Sequence, residues 1–174
     1  PNGVGKSTFF RTVLGFLRPV SGNILIGGRD VRTISRKEMA RLIGYVPQIH
    51  GNPFPYSVRD MVLMGRASHL GALAEPGKSD YRRCDEVLEM LDILYLKDKL
   101  YSEISGGEQQ MTLIARALVQ EPEFIMMDEP TSNLDYGNQI QVLKRVTELK
   151  KSGKGVVMIT HSPDQAFLCA DEAV

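Results

Sequence analysis

A chain of 174 residues, 43% hydrophobic and 24% charged, has the length and composition of one globular domain, or of one domain carrying a subdomain, with a real core. Its formal net charge is +0 and it carries no long Lys/Arg block, so neither a nucleic-acid footprint nor a polybasic lipid anchor is expected. No apolar run approaches the ~20 residues of a spanning helix, so any membrane link is expected to be peripheral, and Cys84 and Cys169 match no metal-ligand spacing and read as reduced, buried thiols.

The chain opens PNGVGKSTFF. Gly3 and Gly5 let the main chain curl around an anion with its N–H groups turned inward, and a helix then presents its positive N-terminus to the same charge. Lys6 reaches the β- and γ-phosphates and the Ser7 hydroxyl suits Mg²⁺, with Asn2 and Thr8 completing the loop. The pattern G-x-x-x-x-G-K-[ST] places its first glycine one position before Pro1, so the sequence is expected to be a fragment that starts inside the loop. Phe10, Val13, Leu14 and Leu17 recur at helical spacing until Pro19. Asn23 to Ile26 reads as a short strand closed by Gly27-Gly28, Arg36 to Leu42 as a brief helix, and Ile43 to Gln48 as a strand broken by Pro47.

His50 to Pro55 reads as loop, Val58 to Gly65 as one helix and Tyr81 to Leu94 as another, joined by a loop over Gly71 to Asp80. His50 and His69 read as surface loop residues. Ser105 caps a further helix whose Gly106 and Gly107 offer backbone donors at its start, a second anion site that has no lysine of its own. Phe124 to Asp128 opens as a continuous apolar run, the pattern of a strand covered on both faces, and ends in Asp128-Glu129. Two adjacent carboxylates there split the labour, Asp128 holding Mg²⁺ and Glu129 polarising a water. Val142, Leu143, Val146 and Leu149 mark a helix and Gly155 to Thr160 a second largely apolar strand, so strands alternate with helices and an α/β parallel sheet is expected. The division expected is a core over 1–51 and 121–174, truncated at both ends, with a helical subdomain inserted over 52–120.

Six segments in order give the chain a close resemblance to the nucleotide-binding subunits of ABC transporters: PNGVGKST is similar to their Walker A, YVPQ with Gln48 to their Q-loop, ISGGEQQ to their signature, IMMDEP to their Walker B, SNLD to their D-loop and ITH with His161 to their switch. The resemblance implies a P-loop NTPase with a RecA-like core, an ATPase using ATP and Mg²⁺, and a head-to-tail dimer in which each Walker A holds ATP against Ser105, Gly106 and Gly107 of a second copy. It further implies Glu129 as general base, His161 on the γ-phosphate, Gln48 sensing Mg²⁺ and reporting to a polytopic membrane permease, and Asp135 communicating across the dimer interface. Glu108 and Ile104 depart from the commonest signature, which has Gln and Leu, and the aromatic that stacks on adenine is expected upstream of Pro1.

The short interval between Gln48 and Ser105 leaves no room for the coiled coils or zinc modules of motor and repair relatives, and no N-K-x-D tetrapeptide supports a GTPase. FPYSVRDMVLMGRASHLG and DYGNQ look like the importer branch for iron-siderophore, haem and cobalamin, served by a substrate-binding protein and peripheral on the cytoplasmic face of the plasma membrane; zinc and manganese importers share VLMGR, and a soluble non-transport ABC ATPase is the other alternative. Phe54, Tyr56 and Val58 either line a groove for a short permease helix or pack inside the helical region.

Overall fold

The computed structural model describes residues 5–48, 55–71 and 74–173. Its centre is a parallel three-stranded sheet in the order β3 (Ile43–Val46), β4 (Phe124–Asp128), β5 (Gly155–Ile159). The register pairs Val46 with Met127 and Asp128 with Ile159, so all three strands point the same way and end side by side. A parallel sheet needs both faces covered, which central β4 meets from Ile125 to Asp128, whereas β5 is only partly covered, with Val157 exposed. Ahead of it, β1 (Leu25–Ile26) and β2 (Arg29–Asp30) form a two-residue antiparallel hairpin over Gly27-Gly28. The strand expected over Asn23 to Ile26 is thus shorter, and its partner is polar and carries no apolar signal. The strand ending expected at Gln48 falls at Val46, because Pro47 has no N–H for the ladder.

Helix α1 (Lys6–Val13) starts from Gly5 at φ 93°, a left-handed conformation glycine adopts without a Cβ penalty. It buries Phe10 against Val31, Ile34, Met39, Ile43, Met126 and Ile159, with the Tyr45 ring meeting Phe10 edge-on at 6.5 Å. One device opens three further helices. In α2 (Arg36–Leu42), α3 (Val58–Leu63) and α5 (Gly106–Leu118), a serine accepts from the third-residue N–H while the acidic residue there accepts from the serine N–H. Helix α3 stops at Leu63 and continues as a 3₁₀ turn over Met64–Ser68, where a Cβ on Gly65 would lie 2.2 Å from the Arg116 carbonyl oxygen; only glycine lets this turn sit on α5.

Helix α4 runs Lys78–Met90, so Lys78 to Asp80 are helical rather than loop, and Asp92 at φ 58° ends the run before Leu94, which lies in a separate turn. Helix α6 is Tyr136–Lys151. A last helix, α7 (Pro163–Cys169), has proline in its first turn and was not legible in the sequence. Among the described residues of 52–120 the only β pairing is an isolated bridge of Ser57 with Leu100. The main core runs without a break from Val58, Val62 and Leu88 through Ile114 of α5 to Ile125 and Met127 of the sheet.

Val58 is fully buried in that core and lines no open groove; Tyr56 is exposed, and Phe54 lies outside the described residues. His69 is half-buried with Nε2 2.9 Å from the Gln120 carbonyl oxygen, so it is a tethered residue rather than a free surface one; His50 lies outside the described residues. Cys84 and Cys169 are buried and unpaired. Arg66 joins Asp80 at 2.9 Å, both side chains nearly covered, and also donates to the Val119 carbonyl, pinning the 3₁₀ turn to α4 and α5. The Gly77 N–H and this guanidinium hold the Asp80 carboxyl below the usual carboxylate range.

Candidate functional site

Parallel strands place their C-terminal ends in one row, and the residues just beyond those ends are the natural place for chemistry. Here β3 leads to Gln48, β4 to Asp128 and Glu129, and β5 to His161. Because β4 is central, Glu129 sits between the other two. Its N–H donates to the Ile159 carbonyl at 3.0 Å, and its backbone is left-handed at φ 49°, an uncommon state for a residue with a Cβ.

The side chains close into a chain of contacts. Lys6 Nζ lies 3.1 Å from His161 Nδ1, and His161 Nε2 contacts Glu129 Oε1. An ammonium only donates, so Nδ1 accepts and the remaining ring proton sits on Nε2, aimed at the carboxylate. On the other side Gln48 Nε2 donates to Glu129 Oε2 at 3.4 Å and to Ser132 Oγ at 3.3 Å, while Ser132 Oγ donates to the Glu129 carbonyl at 2.9 Å. Both oxygens of the Glu129 carboxylate are therefore held by donors from neighbouring strand ends. Ser132, beyond the residues expected to act, serves here by bracing the Glu129 turn.

Asp128 is buried at the end of β4. Burial, then the Asp128 charge and a hydrogen bond to it, push the Tyr45 phenol up. Among the described residues no group of three His, Cys, Asp or Glu could hold a metal, so a cation at Asp128 would draw on the Ser7 hydroxyl, the Gln48 amide oxygen, water and phosphate. Such an all-oxygen set fits Mg²⁺. Ser7 and Thr8 are exposed at the start of α1, whereas Asn2 and Gly3 lie outside the described residues.

The signature turn is built differently. Ser105 Oγ donates to Glu108 Oε2 at 2.8 Å, the Ser105 N–H donates to the same oxygen at 2.8 Å, and the Tyr95 hydroxyl donates to Glu108 Oε1 at 3.0 Å. These donors keep the Glu108 carboxyl below the usual glutamate range, the Ser105 hydroxyl contributing most. Ser105 and Gly106 are exposed and Gly107 is buried. A Cβ on Gly107 would lie 2.3 Å from Asn138 Oδ1, and Asn138 is itself gripped by Asp135, through its N–H at 2.9 Å and its Nδ2 at 2.6 Å. Asp135 thus caps α6, and the N–H and side chain of Asn138 hold its carboxyl below the usual range. No hydrogen bond found among the described residues joins Ser105, Gly106 or Gly107 to the Glu129 cluster.

A family model described as "ABC transporter" matches residues 1–132. The chain belongs to the ABC transporter family. Over 99% of its length it is 44% identical to an uncharacterised ABC transporter ATP-binding protein of Haemophilus influenzae and 39% identical to the molybdate import ATP-binding protein MolC of the same organism. This ABC chain spans 66% and 64% of those two proteins. Among solved structures, an inward-facing ABC transporter assigned to the metal-chelate type superposes with TM-score 0.86 at 39% identity, over 98% of this chain and 64% of that one. The α/β architecture is accordingly the P-loop NTPase fold of ABC ATPases, and the row Gln48, Asp128, Glu129, His161 lies at the strand ends of an ABC cassette. Among the described residues no helix is long and apolar enough to cross a membrane.

Proposed function

We propose that the full-length protein is the ATP-hydrolysing subunit of an ABC importer. The observation that carries this reading is the Glu129 carboxylate, fixed between His161 Nε2 and Gln48 Nε2 at the ends of three parallel strands with Lys6 alongside. Glu129 is the general base that takes the proton of the attacking water; His161 holds that carboxylate and turns to the γ-phosphate once Lys6 has moved onto the phosphates. A base positioned in this way is worth on the order of 10²–10⁴ in rate. Gly5, Lys6, Ser7 and Thr8, with Asn2 and Gly3, bind the phosphates, and Ser7, Asp128 and Gln48 hold Mg²⁺, which neutralises phosphate charge when bound. Ser105, Gly106 and Gly107 cover the nucleotide held by a second copy, and Asp135 lies at that junction.

The same reading gives the chain two parts, a RecA-like core over 1–51 and 121–174 and a signature region over 52–120, and places the protein peripherally on the cytoplasmic membrane face, against a polytopic permease fed by a substrate-binding protein. Steady-state ATPase assays on the full-length protein test it. Turnover should be present in the wild type and lost in Glu129→Gln with nucleotide still bound, whereas equal turnover in both contradicts it.

For the cargo we favour a metal chelate of the iron-siderophore, haem or cobalamin class, supported by the FPYSVRDMVLMGR and DYGNQ segments and by the likeness to a metal-chelate type transporter. An oxyanion cargo is the second reading, because the molybdate relative is equally similar at 39% identity. Uptake of labelled haem, ferric siderophore, cobalamin and molybdate by proteoliposomes holding the complete transporter separates the two.

A further inference from the structure

Behind the catalytic row lies a largely buried polar knot centred on Gln165 of α7, a residue that itself lies outside all six motifs. Its side-chain carbonyl oxygen accepts from Thr131 Oγ1 at 2.8 Å and from Thr160 Oγ1 at 2.7 Å. Its amide nitrogen donates to Gln139 Oε1 at 3.3 Å, and Gln139 Nε2 donates to the Leu134 carbonyl at 2.9 Å. That last bond fixes the direction of the whole set. A backbone carbonyl only accepts, so Gln139 must turn its nitrogen there and its oxygen toward Gln165, which must answer with its own nitrogen and leave its oxygen for the two hydroxyls. Gln165 and Thr131 are 8% and 5% exposed, so no solvent substitutes for these partners.

The two hydroxyls stand on the two turns that carry the chemistry. Thr160 immediately precedes His161, and its Oγ1 also accepts the Ser162 N–H at 3.1 Å, so the backbone on both sides of His161 is tied to one atom. Thr131 follows Glu129 by two residues in a turn that holds two left-handed non-glycine residues, Glu129 at φ 49° and Asn133 at φ 62°. Such conformations persist only where the surroundings over-determine them. A fully satisfied polar network does this better than an apolar filling, because each partner admits one direction.

Granted the reading of Glu129 and His161 as the hydrolytic pair, we propose that Gln165 is a positioning residue for ATP hydrolysis. Its one amide oxygen holds the Glu129 turn and the His161 turn at a fixed separation, and its amide nitrogen ties both to the Leu134 carbonyl of the D-loop through Gln139. A displacement of the D-loop on nucleotide binding therefore reaches His161 and Glu129 together.

The test is steady-state ATPase kinetics of the full-length protein carrying Gln165→Leu or Gln165→Glu, with nucleotide affinity and thermal denaturation measured alongside. Gln165→Leu removes the shared acceptor and should lower kcat about tenfold or more while KM for ATP changes less than about twofold, since sub-ångström misplacement acts on the chemical step. Gln165→Glu keeps the acceptor oxygen for both hydroxyls and, in its protonated form, donates to Gln139 Oε1 as the amide does, so at mildly acidic pH it should return kcat to within about threefold of wild type, a recovery lost as the carboxyl ionises. Thr131→Val and Thr160→Val should each lower kcat, and the pair together should cost less than the product of the two, because they share one acceptor. Wild-type kcat in Gln165→Leu overturns the proposal, as does a fall in kcat that Gln165→Glu leaves uncorrected at mildly acidic pH. If Gln165→Leu fails to fold, the two threonine variants decide, and strictly multiplicative effects overturn it. A wild-type protein without ATPase activity sinks the functional reading instead, a result distinguishable from any of these.

Discussion

The strand-end cluster and the signature turn, both proposed to meet phosphate, are held together by opposite constructions. Around Glu129, contacts reach across the chain: Lys6 meets His161, and Gln48 meets both Glu129 and Ser132. Around Ser105 the hydrogen bonds stay within the turn and the segment just before it, none farther than Tyr95 to Glu108, and Ser105 and Gly106 are exposed. The first region is finished by its own fold, so its geometry depends on packing far away. The second is finished by its own cap and turns its remaining donors outward, toward something supplied by another molecule. Variants in the first region should therefore change the chemical step, and variants in the second should change assembly.

The sharpest break of this comparison comes from pairing Glu129→Gln with Ser105→Arg in the full-length protein. The former should abolish turnover by about 10²-fold or more with nucleotide still bound, while the latter should lose turnover through failure to associate, as read by sedimentation with ATP and Mg²⁺. Association intact in Ser105→Arg contradicts the contrast. Next in size is stability. Asp80→Asn leaves the nearly covered Arg66 with only the more exposed Glu121 carboxylate as its ionic partner and should cost about 1–3 kcal/mol in denaturant unfolding. Because the folded-state pKa of Asp80 is depressed, its contribution is present above the unfolded value near ~3.9 and is lost as pH falls through the lower folded value, so the variant should flatten the acid limb of the stability curve.

Gly107→Ala forces a methyl group against Asn138 and should cost about 1–3 kcal/mol of overpacking. Adding Asn138→Ala should restore most of it in thermal denaturation, which separates steric cost from any loss at the phosphates. The smallest effect belongs to Glu108→Gln. It keeps an acceptor for the Ser105 N–H, removes a negative charge from the signature turn and weakens the hold on the Ser105 hydroxyl, so if that turn meets phosphate as proposed KM for ATP should fall by about twofold to threefold, of the order of a few tenths of a kcal/mol for a surface charge at a helix start.

Much of this arrangement was legible because its elements carry their own signals. Phe124 to Met127 is a continuous apolar run, the pattern of a covered strand, and Ser105 marks a helix start, a cap that Ser35 and Ser57 repeat in the structure. What stayed hidden lacks a local signal. The second strand of the early hairpin is Arg-Asp, and α7 buries Gln165 and Cys169 while leaving Phe167 and Leu168 exposed, the reverse of an amphipathic pattern. Gln165 was invisible for the same reason, since a glutamine becomes a hub only when Thr131, Thr160 and Gln139 converge from three elements. Within the site, His161 and Gln48, expected on the γ-phosphate and Mg²⁺, lie against the Glu129 carboxylate, and Tyr45 beside Asp128 and Asn138 against Gly107 needed the three-dimensional neighbourhood to be noticed.

The central claim is that the outward-facing Ser105 turn completes a nucleotide site on a second copy. Sedimentation velocity of the full-length Glu129→Gln protein, saturated with ATP and Mg²⁺, tests it most directly. The account predicts a dimer that reverts to monomer when Ser105→Arg is added; a nucleotide-saturated monomer at micromolar protein would contradict it.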